Sequence, residues 1–211
     1  ESVSKKVISK GSVPQNFKGK GALQKIDFVV KVEGCILWTP DNPFLYDLEL
    51  STSGDNTSTR FGMRTFQVSK DNGVFLLNDK PYYLRGTNVC IFRFFEDPDR
   101  NGLPWDSKWA TTLHQRFKEM HWNSIRYCIG FPPERWYEIA DSVGFLIQDE
   151  YPVWTGAKVG TPGRVRGFEQ LLKGVTSKSL AAEYLDWMRE RWNHPCVVVW
   201  DAQNESENDT T

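Results

Sequence analysis

The sequence predicts an α/β protein, a parallel sheet with alternating helices, preceded by part of a β-sandwich. Three observations lead there. Before residue 69, apolar residues alternate in short runs separated by polar turns. After it, short strands alternate with segments whose apolar residues recur at helical spacing. Polar residues also gather just after the C-terminal ends of those later strands.

Taken in order, 25–32 alternates around Ile26, Phe28, Val30 and Val32 and is expected to be a strand. Trp38-Thr39-Pro40-Asp41-Asn42-Pro43 is a turn cluster. Strands are expected at 45–50 and 60–68, with the polar stretch 51–59 between them as a loop or hairpin turn. Asp71-Asn72-Gly73 marks another turn, and 74–77 with 80–84 flank Asn78-Asp79 as a hairpin leading into Arg85-Gly86-Thr87-Asn88. Residues 107–120 read as a helix, with Trp109, Leu113, Phe117 and Met120 on one face and Asp106 or Ser107 as N-cap. A strand at 124–129 follows, then a helix opened by Pro132-Pro133 and stopped by Gly144. The strand from Phe145 ends in Gln148-Asp149-Glu150, the basic, glycine-containing stretch 156–174 reads as a loop, and 179–192 is a third helix. A strand at 196–200 opens onto Asp201-Ala202-Gln203-Asn204-Glu205. Repeated strand–helix units imply a parallel sheet, either barrel or doubly wound, and the lack of a G-x-G-x-x-G after the first strand disfavours a nucleotide-binding sheet.

Composition narrows the function. With 211 residues, 39% hydrophobic, 25% charged and a net charge of −1, the chain has neither the basic excess of a nucleic-acid binder nor that of a protein drawn to anionic membranes. No stretch approaches the roughly 20 apolar residues of a membrane helix. Residues 1–31 hold seven Lys and two acids and read as a solvated, irregular segment. The start, Glu1-Ser2-Val3, lacks an initiator Met and an apolar signal core, so it is expected to be the interior of a longer chain or a processed product. Four Cys and three His show no zinc spacing. Nine Trp are chiefly core material, although flat rings also stack on sugar faces.

The motifs resemble glycoside hydrolase family 2, the group of β-galactosidases, β-glucuronidases and β-mannosidases. Leu37-Trp38-Thr39-Pro40-Asp41-Asn42-Pro43-Phe44-Leu45-Tyr46 is similar to the family's LW-P-NP-LY segment, and Arg60-Phe61-Gly62-Met63-Arg64 to its FGFR junction. Phe75-Leu76-Leu77-Asn78-Asp79-Lys80-Pro81 with Leu84-Arg85-Gly86-Thr87-Asn88 resembles the first barrel strand, and Trp122-Asn123-Ser124-Ile125-Arg126 the second. Trp136-Tyr137-Glu138-Ile139-Ala140-Asp141 with 144–150 resembles the next unit, and Asn193-His194-Pro195-Cys196 through Asn204-Glu205 the NHP…NE stretch.

The resemblance implies a layout of an irregular basic segment at 1–22, part of an immunoglobulin-like β-sandwich at 23–68, and the N-terminal half of a (β/α)8 TIM barrel at 69–211. It implies a retaining exo-β-glycosidase, galactoside or glucuronide ahead of mannoside, with Glu205 as acid/base and Asn204 on the sugar 2-hydroxyl. Arg126 would keep the partner carboxylate ionised, and Asn88, Glu150 and Trp154 are candidate sugar contacts. Retaining enzymes place two carboxyls about 5–5.5 Å apart. The family's nucleophile lies on the seventh strand, beyond residue 211, so the isolated chain is expected to be inactive. Family members often carry a His two residues after the first-strand Asn and a Ser-His pair after the second-strand Arg; here those positions read Cys90 and Tyr127-Cys128. No metal or other cofactor is expected. The partners expected are a β-glycoside substrate and the remaining domains of the same protein, with no nucleic acid and no membrane. Plainer readings stand beside these: Arg126 as ion-pair partner of Glu150, Trp154 and Trp200 as packing, Asp149 as a cap or loop hydrogen-bonder, and Glu205 as an exposed loop acid. The competing function is a non-catalytic carbohydrate-binding or structural barrel module.

Overall fold

The computed structural model describes residues 1–153 and 176–204, except residues 3, 17, 18, 20 and 22 and the side chain of Ser177. Its first sheet pairs β1 (Tyr46–Ser51) with β2 (Asn56–Phe61) antiparallel, from Tyr46 opposite Phe61 to Ser51 opposite Asn56. The turn between them is held by Thr52, whose hydroxyl accepts from the N–H groups of Gly54 and Asp55. The expected loop at 51–59 is thus a tight hairpin, and the strands run further into it.

The expected strand at 25–32 does not form: Leu23 and Val29 are fully exposed, and Phe28 and Val30 are exposed too. Alternation describes a face, but a strand needs a neighbour for its N–H and C=O groups. Among the described residues β1 pairs only with β2, and 25–32 has no edge to join.

The single strand expected at 60–68 is broken in two, β2 and β3 (Phe66–Val68). The intervening residues dock on the α/β part instead. Arg64 Nε donates to the Pro195 carbonyl at 2.9 Å, and its Nη2 reaches the Val197 carbonyl. A Cβ on Gly62 would fall 2.7 Å from Pro195 Cγ, so this close approach requires glycine. β3 pairs antiparallel with β4 (Phe75–Leu77), which turns into β5 (Lys80–Pro81) through Asn78 and Asp79, both at positive φ as a type I′ turn requires.

The second half is a four-stranded parallel sheet in sequence order: β6 (Gly86–Val89), β7 (Ser124–Tyr127), β8 (Leu146–Glu150) and β9 (Val197–Asp201). Between β6 and β7 come a short α1 (Ile91–Phe95), a 3-10 turn at Leu103–Trp105 and α2 (Ser107–Glu119). α3 (Arg135–Val143) joins β7 to β8, and α4 (Ser177–Arg191) lies between β8 and β9. α2 starts where its cap dictates: Asp106 Oδ1 accepts from the N–H groups of Lys108 and Trp109. α3 stops at Gly144, at φ +84°, where any Cβ would collide with the Pro40 carbonyl.

One face of the sheet packs under the helices. Ile125, Tyr127, Ile147 and Asp149 point there, against the fully buried Trp136, Tyr137 and Phe145. His114 of α2 is sealed in this layer, with Nδ1 donating to the Ala110 carbonyl and Nε2 accepting from the Tyr127 hydroxyl, and burial lowers its pKa to about 4. Trp38, from the turn before β1, joins the same core and donates its indole N–H to the Asp141 carbonyl at 2.9 Å. The N-terminal segment is therefore bolted to the base of the sheet, the end where its strands begin.

Candidate active site

The other face of the sheet behaves differently. Gly86, Asn88, Ser124, Arg126, Gln148 and Val199 line a cavity of about 180 Å³, and most of these side chains are polar. Period-2 geometry accounts for it: each strand sends alternate residues to the helix layer and to the hollow. The strands are therefore apolar mainly on the face that meets the helices.

At that end three strands converge on Arg126. Its Nη2 lies 2.7 Å from Glu150 Oε2 and 2.9 Å from Asn204 Oδ1, and its Nε lies 3.5 Å from Asp201 Oδ2. Gln148 Nε2 donates to the same Asp201 oxygen at 2.7 Å. Asn204 is buried, with its backbone N–H donating to the Val153 carbonyl at 2.8 Å. A guanidinium has only donors, so the amide atom facing Arg126 must be the oxygen, which fixes the orientation of Asn204.

Glu150 is the most enclosed group, with its side chain wholly buried. Burial raises its pKa, the Ile129 N–H and Arg126 pull it down, and Asp201 pushes it up again. Burial acts to lower that of Arg126, but Glu150, with Cys128 and Asp201 helping, keeps it above the ordinary arginine value. Among the described residues neither Glu150 oxygen nor Arg126 Nε has a well-aligned hydrogen bond, so the pair is held by charge more than by directional bonds. Just beyond β7, Ile129 adopts φ +53°, a left-handed conformation unusual for a β-branched residue. Such backbone persists where surrounding contacts over-determine it, often at sites.

The structure brings together three of the sequence-predicted residues, Arg126, Glu150 and Asn204. Asn88 is exposed, lines the same cavity and stands opposite Arg126 in the register of β6 and β7. Glu205 and Trp154 lie outside the described residues. The ion pair between Arg126 and Glu150 is real, as the plainer reading had it. Trp200 packs edge-on against Trp187 of α4 at 5.0 Å, in the helix layer. Asp149 is not a cap or loop residue: it sits in β8 on the helix side, accepting from the Tyr137 hydroxyl at 2.7 Å and the Trp187 indole at 2.8 Å.

Sequence reasoning missed Asp201 as a member of the cluster. The reason is a register shift between Ile147 and Gln148: Ile147 faces Val197, but Gln148 faces Val199 and Glu150 faces Asp201. Without that bulge Trp200 would stand opposite Glu150. Counting alternate residues along one strand cannot see it.

A second polar cluster lies at the base. His194 Nδ1 is 2.6 Å from Asp141 Oδ2, and its Nε2 is 2.7 Å from Glu134 Oε1. Asp141 Oδ1 accepts the Cys196 N–H at 3.0 Å. Asp141, His194 and Cys196 offer metal-type donor atoms within 4.8 Å of one another, but the first two are engaged in hydrogen bonds with each other and the thiol donates to the Tyr137 carbonyl.

A family model for "Glycosyl hydrolases family 2, TIM barrel domain" matches residues 67–211, and one for "Glycosyl hydrolases family 2" matches residues 1–64. The chain belongs to glycosyl hydrolases family 2. Its parallel sheet with alternating helices is thus part of a TIM barrel, and β1 and β2, within residues 1–64, belong to the family's β-sandwich, whereas β4 and β5 fall in the stretch that the barrel model matches. Family members with similar sequence include a β-galactosidase from Leuconostoc mesenteroides, 27% identical over 86% of this chain and 17% of that protein. A putative β-glucuronidase from Formosa agariphila is 29% identical over 82% of this chain and 16% of that protein. Among solved structures, the β-glucuronidase from Ruminococcus gnavus in complex with D-glucuronic acid superposes with a TM-score of 0.65 at 28% identity, covering 86% of this chain and 29% of that one. The chain therefore spans about a sixth of the length of those two sequence relatives. In TIM barrels the catalytic groups sit at the C-terminal ends of the strands, the end where Arg126, Glu150, Asp201 and Asn204 meet.

Proposed function

We propose that the intact protein is a retaining exo-β-glycosidase acting on β-galactosides or β-glucuronides, with Glu205 as its acid/base. The observation that carries this reading is the Arg126–Asn204 contact of 2.9 Å at the C-terminal mouth of the sheet. It anchors the residue immediately before Glu205 to the barrel interior. Family membership and the carbohydrate-processing names of the relatives support the same reading.

In this mechanism Glu205 first protonates the glycosidic oxygen as the leaving group departs. It then takes a proton from the water that resolves the glycosyl-enzyme intermediate. Asn204, its amide oxygen held by Arg126, turns its NH2 group toward the sugar 2-hydroxyl, a bond that tightens in the transition state. Arg126 positions Asn204, and its charge favours ionised carboxylates nearby, the catalytic partner included. Glu150 holds Arg126 in place through the same Nη2 nitrogen that meets Asn204. Asn88 contributes a further polar group to the sugar-facing cavity.

The test uses the intact enzyme with aryl β-galactosides, β-glucuronides and β-mannosides of poor and good leaving groups. Glu205→Gln is expected to lower kcat/KM by about 10²–10⁴-fold on the poor leaving groups and by less on the good ones, which need little protonation. Equal turnover by the variant and the parent would sink the assignment. No turnover of any glycoside by the parent, with sugar binding retained, would make the protein a binding module instead.

A further inference from the structure

We propose that Cys90 and Cys128 form a reversible disulfide at the mouth of the barrel, a modification site separate from the glycosidase reading and independent of it. The register brings the two together. Asn88 stands opposite Arg126 and Val89 opposite Tyr127, so Cys90 and Cys128 are the next pair along β6 and β7. The Cys128 N–H donates to the Val89 carbonyl at 3.0 Å, which extends the pairing past the last strand residues. Cys90 keeps an extended backbone, φ −93° and ψ 91°, so its side chain stays on the face of Asn88 rather than turning outward. Paired strands lie roughly 4.8 Å apart, within the Cα separation of about 4.4–6.8 Å that a disulfide spans. The Cys90 thiol lies near enough to Cys128 to act on its protonation.

The other cysteines are placed elsewhere. Cys35 is exposed in the N-terminal segment, and Cys196 is buried at the base of the sheet, the opposite end from this pair. Access is graded within the pair: Cys90 is half-buried, whereas Cys128 is only 6% exposed. Burial, then the Cys90 thiol and the Glu150 carboxylate, push the Cys128 thiol up to about 12, which keeps it protonated until a partner sulfur is presented to it.

The oxidant is a low-molecular-weight disulfide of the glutathione class. The Cys90 sulfur attacks one of its sulfurs, the S–S bond breaks, and one thiol leaves with a proton. Cys128 then attacks the Cys90 sulfur of the mixed disulfide, and the second thiol leaves with the Cys128 proton. The protein pair loses two electrons and two protons, and the small disulfide is reduced to two thiols. Closure ties the C-terminal ends of β6 and β7 together beside Asn88 and Arg126.

The experiment treats the native full chain with oxidised glutathione, blocks remaining thiols by alkylation, and maps tryptic peptides by mass spectrometry. The expected product joins peptide 86–93 to peptide 127–135 with the loss of two hydrogens, carries no glutathione, and is reopened by dithiothreitol. In Cys128→Ala the reaction is expected to stop with glutathione on Cys90. The proposal is overturned if parent Cys90 retains glutathione while Cys128 remains alkylatable, if neither thiol reacts while Cys35 does, or if the cross-links join Cys90 or Cys128 to Cys35 or Cys196. The parent chain alone gives these outcomes, so a variant that fails to fold does not remove the test.

Discussion

At the base of the parallel sheet both nitrogens of His194 donate to carboxylates, Asp141 and Glu134, and Asp141 also holds the Cys196 N–H. At the mouth, Glu150 is wholly buried yet has no well-aligned hydrogen bond among the described residues, and Arg126 is the cation that balances it. Both clusters pair a cation with two carboxylates. They differ in how directional the bonding is. The base is a closed set of geometrically specified bonds that ties α3 to the start of β9. The mouth keeps hydrogen-bonding capacity on an enclosed carboxylate, the condition of a surface prepared for a polar ligand. In a TIM barrel that polarity of ends, stability below and chemistry above, is the expected division.

The sharpest way to break this comparison is Arg126→Met. It leaves the Glu150 charge buried without its partner, and unfolding by denaturant is expected to show a loss of about 3–5 kcal/mol. Pairing it with Glu150→Leu should restore much of that loss, because the charge itself is then gone. A double variant no more stable than the single one would mean that the mouth is held by packing and not by the ion pair.

The base is expected to respond to pH instead. A neutral imidazole carries one N–H, so donating to both carboxylates requires the protonated ring. Burial acts against that charge, but the bonds to Asp141 and Glu134 outweigh it and raise the His194 pKa to about 9, against 6.5 for a free histidine. The folded form thus binds this proton more tightly than the unfolded form. The stabilisation is complete below about pH 6.5 and is lost as pH rises through about 9, at most about 3 kcal/mol in all. Denaturation midpoints measured from pH 6 to 10 should fall in the parent and stay flat in His194→Gln over the part due to this group. Parallel curves for the two proteins would remove His194 as the cause.

A smaller effect is expected for Asp201→Ala, which removes the acceptor of Gln148 at the partly exposed rim. The loss should be about 1 kcal/mol or less, since the freed amide can turn to water. A loss as large as that for Arg126→Met would place Asp201 among the groups that hold the mouth together.

The sequence made the helices and the order of the strands legible because those are written locally. The cap at Asp106 and the glycine stop at 144 are decided within a turn of chain, and both are where the pattern put them. Arg126 and Asn204 could be chosen as site residues because motif and strand end coincide there. What local reading could not supply was partnership. Residues 25–32 have the alternation of a strand without a neighbour to bond it, and 60–68 breaks because Gly62 and Arg64 answer to Pro195 and Val197, more than 130 residues away. Asp201 enters the cluster only through the bulge opposite β8, a property of two strands together.

The Arg64 contact also has a mechanical meaning. Its guanidinium grips the Pro195 and Val197 carbonyls, where β9 begins, while Asn204 sits just beyond the end of the same strand. Five strand residues, on the order of 16 Å of extended backbone, separate that grip from the mouth. The strand that leads to Asn204 is thus fastened at its start by a residue of the sandwich segment and just past its end by Arg126.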